Sequence, residues 1–172
     1  MTKTLSKGAL VTLAVIGLMA VLGGELWLSV WNQSQIWDEA AHIYAGYSYW
    51  TRGDFGMNPE HPPLVKLVAS LPLLPLKLNP PPVPETYFRI APYVGGQGLL
   101  YSGDADSLLF RARIATSLFT LALAFLVFAA GCEMFGYGAA ILSLLLFVFE
   151  PNILGNGALV ATDVGHRGAI SY

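Results

Sequence analysis

Apolar and polar residues separate into long blocks along this chain, and those blocks set the first expectations. Gly8 to Trp31 is almost wholly apolar, with Glu25 the only charge, near its far end. A helix of that length, rising about 1.5 Å per residue, crosses a hydrocarbon core of about 30 Å. A second block, Ile114 to Cys132, holds no charge and is approached through Phe110, Arg111, Ala112 and Arg113. A third, Met134 to Phe149, lies between Glu133 and Glu150-Pro151, and the short stretch Gly131 to Gly138 reads as the break of a hairpin. The pattern predicts an all-α integral membrane protein with transmembrane helices at 8–31, 109–132 and 138–150 and a cytoplasmic turn at 133–137. Lys3 and Lys7 precede the first block and no acid does, which puts 1–7 in the cytoplasm. A cleaved signal peptide is the rival reading of that block. Its apolar stretch, however, runs on through Leu26, Trp27 and Leu28, past the usual length of such a leader core.

By this topology 32–108 forms a large outer loop, and 151–172 returns to the same face. Asp38 to Trp50 predicts a helix (38–50), because Ala40, Ala41 and Ala45 favour it and no proline intervenes. Pro62-Pro63 suit the start of a second helix (64–78), apolar on most of its surface, which Pro72 and Pro75 should kink or end early. Tyr47, Tyr49 and Trp50 are the aromatic residues expected of helices lying in the membrane interface. Leu78 to Pro84 reads as a stiff connector, and the glycine-rich remainder to Asp106 as a loop.

Composition sharpens the picture. Hydrophobic residues make up 55% of the chain and charged residues 12%, with a mean hydropathy of +0.57; a soluble domain carries about twice that charge. A net charge of −2 leaves no electrostatic footprint for nucleic acid. The single cysteine, Cys132, permits neither an intramolecular disulfide nor a multi-cysteine zinc site.

Candidate chemistry gathers in the outer loop. Asp38 and His42 are four positions apart and share a helix face, with Glu39 turned about 100° away. Asn58-Pro59-Glu60-His61-Pro62-Pro63-Leu64-Val65-Lys66 follows. Carboxylates, histidines and a lysine beside a membrane could build a proton-transfer site with an anion clamp. Asp38 equally suits the N-cap of the helix that begins there. Asp38, His42, Glu60 and His61 could also ligate a divalent cation, although no zinc-type spacing is present. Arg111 and Arg113 sit at the outer mouth of a span, against the positive-inside tendency. Snorkelling to headgroups and bidentate binding of a lipid phosphate both account for them. Asp163 ends the stretch Glu150 to Asp163 and returns to the face that carries Asp38, as a second site carboxylate or a solvated turn acid.

Asp38-Glu39, His42, Gly46, Gly53-Asp54 and Glu60-His61-Pro62-Pro63-Leu64-Val65-Lys66 together resemble the first outer loop of family-39-type glycosyltransferases. These are relatives of the protein O-mannosyltransferases and the aminoarabinose transferases of lipid A. Arg111 to Asp163 is similar to the same family's second and third spans and second acidic loop, so the likeness reaches Gly165. It implies a GT-C architecture, of which this chain would be the N-terminal part, in a bacterial inner membrane. It also implies a polyprenyl-phosphate-linked sugar as donor and membrane lipids as surroundings. By position Asp38 would be the catalytic carboxylate, seconded by Glu39 and Asp163. Lys66, Arg111 and Arg113 would hold the donor phosphate, with His42, Glu60 and His61 in support.

Family members continue through further spans, whereas His166 to Tyr172 abandons the apolar run, so a truncated product without turnover of its own is expected. A non-catalytic membrane subunit that binds lipid or a partner is the alternative. A transporter piece would carry charges deep within its spans, and only Glu25, Arg111 and Arg113 come near.

Overall fold

The computed structural model describes residues 6–80, 82 and 90–161 and is all-helical over them. Helix α1 (Lys7–Asn32) starts where the Ser6 side chain accepts from the Ala9 N–H at 3.2 Å. After a short extended link comes α2 (Trp37–Arg52), closed by Gly53 in the left-handed conformation, φ 68°. Helix α3 (Pro63–Ser70) passes into a 3₁₀ turn, Leu71–Leu76. Then follow α4 (Ala91–Tyr101), α5 (Ala105–Phe135), α6 (Tyr137–Val148) and α7 (Pro151–Asn156). Asp104 caps α5 by accepting from the Ser107 N–H at 3.2 Å.

Helices α1, α5 and α6 pack as a bundle around Leu22, Leu26, Val30, Ala124, Leu144 and Val148. A second layer, α2 to α4 with the 3₁₀ turn, sits against the start of α5 around Ile43, Tyr44, Leu73, Leu99, Leu108 and Ala112. Two helices, α1 and α5, are long and apolar enough to cross a membrane. Only 11% and 28% of their most apolar windows are buried within the protein. The core helix of a soluble protein would be mostly covered.

The structure departs from the sequence expectations at three places. The third apolar block is a helix of 12 residues, about 18 Å long, so by itself it falls short of the hydrocarbon core. The break before it is Gly136 alone, at φ 83°, and α5 runs straight through Gly131 and Cys132. Gly131 instead lets α6 come close, because a Cβ there would press on Ala140. The glycine-rich segment expected to be a loop contains α4. Its Gly95 and Gly96 lie against α2, where side chains would collide with the Tyr44 ring and the Ala40 carbonyl. Glycine marks close helix contact here, not a turn.

Candidate functional site

The polar groups collect at one end of the bundle, where α1 ends, α2 begins, α5 begins and the turn after α7 arrives. Glu39 and Arg113 form its centre, both essentially fully buried. Arg113 Nε donates to Glu39 Oε1 at 2.8 Å, and Nη2 donates to Glu39 Oε2 at 2.6 Å. The other N–H groups reach the carbonyls of Ser34 (3.0 Å), Gln33 (2.8 Å) and Val30 (3.2 Å). All five guanidinium donors are therefore engaged, three of them on the end of α1 and the link beyond it. Glu39 completes its own set by accepting from the backbone N–H of Ile36 (3.0 Å) and of Val160 (3.1 Å). The pair joins three chain segments that are distant in sequence, around residues 30–39, 113 and 160.

The turn at 157–160 is fastened further. Thr120 donates to the Gly157 carbonyl at 2.6 Å and Thr116 to the Ala158 carbonyl at 2.9 Å. Ser29 and Gln33 reach the Leu154 and Gly155 carbonyls at 3.2 and 3.1 Å. This brings the segment leading to Asp163 beside the start of α2. Asp163 itself lies outside the described residues.

Lys66 organises a second buried cluster. Its side chain is fully enclosed, and Nζ donates to the Tyr49 hydroxyl (3.2 Å) and to the carbonyls of His61 (2.9 Å) and Asn58. Burial brings its pKa down to about 8, opposed by the nearby charge of Glu60. The Tyr49 phenol is pushed up, by burial first and Asp54 second. The Asn58 amide stands 3.4 Å from His42 Nδ1, and the His42 and His61 rings meet edge to face at 5.1 Å. Beside this cluster opens a cleft of about 630 Å³ lined by residues 54 and 56–60 and by Ala91, Pro92 and Tyr93.

Several expected roles change in this light. Arg113 has no donor left for a phosphate and Glu39 has both oxygens bound, so these two hold the site's frame. Lys66 has its three donors on Tyr49 and two carbonyls, and through them it pins the 53–62 loop. Asp38 is not the N-cap: that position is Ile36, and Asp38 is the second residue of α2, half-buried. Arg111 is exposed. Glu60 is exposed on the cleft rim, with His61 half-buried and His42 buried behind it. Among the described residues no three of His, Cys, Asp and Glu come together as a metal would need, so the cation set from Asp38 to His61 is not assembled. Sequence reasoning assigned Tyr49 an interfacial role and Asn58 none, and neither was expected as a partner of Lys66. The one available signal was the turn chemistry around Asn58, which takes a positive φ of 56°.

No known protein family, curated protein or solved structure matches the chain.

Proposed function

We propose that the chain carries part of a membrane glycosyltransferase site, which moves a sugar from a polyprenyl-phosphate-linked donor to an acceptor hydroxyl on the outer face. What supports the reading is the convergence of the α2 start, the first turns of α5 and the 157–161 segment at one end of two long apolar helices. A lipid-borne donor presents its phosphate at that depth. In this reading α1, α5, and α6 in series with α7, cross the membrane with the N-terminus inside, and α2 to α4 lie in the outer interface of a bacterial inner membrane.

Asp38 takes the proton of the acceptor hydroxyl, and Arg111 stabilises the departing lipid phosphate. A lipid phosphate leaves without help from a strong acid, so a single displacement with inversion suffices. Glu39, Arg113 and Lys66 act by holding the surrounding backbone, while His42, Glu60 and His61 flank the acceptor side. Asp163 follows the 157–161 segment as a second carboxylate.

The test is Asp38→Asn against Asp38→Ala, with the spans of a full-length family member supplied behind the chain. Because Ile36 is the cap, neither change removes one, and both lose the same favourable charge at a helix start, about 0.3–1 kcal/mol. Both variants should fall about 10²-fold or more in transfer at matched membrane insertion. Near-normal turnover in Asp38→Asn would remove the carboxylate from the chemistry. It would favour a non-catalytic membrane subunit, a reading supported by the complete engagement of Glu39, Lys66 and Arg113 in structural bonds.

A further inference from the structure

Over α3 and the 3₁₀ turn the usual arrangement of a surface helix is inverted. The segment Pro63–Leu76 holds one charged residue, Lys66, and that residue is fully buried. Everything it presents outward is apolar: Leu64 is 59% exposed, Leu71 52% and Leu76 40%, with exposed Pro63 and Pro75 beside them. A helix facing water on that side would show polar side chains there. An unbroken apolar face is instead the mark of a surface that meets another apolar medium.

The position of the segment identifies the medium. Ala69 and Leu73 on its inner side pack in the cluster that includes Leu108, Leu109 and Ala112 of α5. Phe110, within that same turn of α5, meets Trp27 at 5.1 Å and Trp31 at 4.7 Å near the end of α1. The outward leucines therefore sit level with the aromatic end of the two long apolar helices. Trp50, whose Nε1 donates to the Leu67 carbonyl at 3.0 Å, and exposed Lys77 stand at the segment's margins. An amphipathic indole and a lysine are residues that settle at the headgroup boundary.

We propose that the outward face of α3 and the 3₁₀ turn is sunk among lipid acyl chains, so that this segment is a membrane-immersed wall of the outer layer and not a water-exposed helix above it. The inference rests on reading α1 and α5 as spans and deepens it by naming lipid as the partner of this surface. It also accounts for Lys66: with the outer face in hydrocarbon, the one charge of the segment is accommodated only inward, against Tyr49 and the two carbonyls.

The test uses spin labels on single cysteines at Leu64, Leu71 and Leu76 in a Cys132→Ser background, with the whole chain in phosphatidylcholine–phosphatidylglycerol vesicles. Collisions with oxygen, which concentrates in lipid, are compared with collisions with a water-soluble nickel chelate. Ile16, 60% exposed on α1, serves as the span control and exposed Ser102 as the aqueous control. Oxygen should dominate at all three leucine positions as at Ile16, with the balance reversed at Ser102. Chelate dominance at Leu71 beside oxygen dominance at Ile16 would overturn the immersed wall and leave the spans standing. Low collision with both agents at Leu71 would overturn it too, in favour of a protein partner such as a second copy. Chelate dominance at Ile16 as well would mean that α1 does not span, and the wall would fall with it.

Discussion

In the bundle of α1, α5 and α6 the core is Leu22, Leu26, Val30, Ala124, Leu144 and Val148, with buried polar side chains confined to the Arg113–Thr120 stretch of α5, whereas the layer of α2 to α4 encloses Glu39, His42, Asn58 and Lys66 among its apolar residues. Apolar side chains dominate the outside of the bundle as they do its core, and in a lipid medium such burial gives helices little reason to associate. Close contact does, as where Gly131 admits Ala140. The layer solves a different problem. The polar groups it buries need partners, because an orphaned one costs more than a satisfied one contributes, and among its described buried side chains the Ser48 hydroxyl is left without one.

Two buried cations, Arg113 where α5 meets the layer and Lys66 within it, solve that problem in opposite ways, and the contrast can be broken experimentally. Arg113 is paired with a carboxylate and satisfied to its last N–H. Lys66 is enclosed by a phenol and backbone carbonyls, with Glu60 acting only as a neighbouring charge. Removing Arg113 should have the largest effect. Arg113→Met leaves Glu39 charged and buried without its partner, a loss of about 3–5 kcal/mol. Thermal unfolding in detergent should show a large drop or no folded protein. The double variant Glu39→Leu/Arg113→Met removes both charges and should be less destabilised than Arg113→Met alone. A double variant that is worse than the single would mean that the carbonyls of Val30, Gln33 and Ser34, not the ion pair, are what the arginine serves.

Lys66→Met comes next. It removes one cation without stranding an opposite charge in contact with it, but leaves the Asn58 and His61 carbonyls without their donor, at a cost of about 1–3 kcal/mol. The damage should be local. Amide exchange should quicken across 53–62 while the cores of α1 and α5 stay protected. Uniform loss of protection across both layers would show that the lysine cluster supports the whole fold.

How much of this was legible in the sequence depends on what each residue does. The long helices were, because a block of twenty apolar residues has few other uses. Helix α2 was, through its alanines, although its start lay one residue earlier than Asp38 suggested. Helix α4 was not: glycines that allow Gly95 and Gly96 to touch α2 look the same in a sequence as glycines that make turns. The Glu39–Arg113 pair spans 74 positions, which no local pattern reports. One sign of it was present. Arg111 and Arg113 are two apart on a helix and so point to opposite sides, which meant that one of them had to face inward. The inward role of Lys66 had no such sign, since its neighbours arrive from a loop held by a left-handed Asn58.

The smallest effect concerns pH and separates the two cations most directly. Lys66 has its folded pKa at about 8, below the ordinary lysine value of 10.5, because burial disfavours the charged form. Below pH 8 folded and unfolded chains both carry the proton, and the penalty of the buried charge is fully present. Between about pH 8 and 10.5 the folded chain has released it while the unfolded chain still binds it, so stability rises with pH across that window. A tenfold difference in proton affinity is worth about 1.4 kcal/mol, which bounds the gain at something of order 3 kcal/mol. Tyr49 acts in the opposite sense. Its raised pKa keeps the folded phenol protonated after the unfolded one ionises, so stability declines above about pH 10. The net expectation is a shallow maximum in unfolding temperature between about pH 9 and 10, at the level of about a kcal/mol once the two overlap and solvent screening is allowed for. In Lys66→Met the rise should vanish and only the fall from Tyr49 remain. In the double variant Glu39→Leu/Arg113→Met the rise should persist, because Lys66 and its partners are untouched. A rise that survives Lys66→Met would place its origin in another group and leave the enclosed lysine charged throughout.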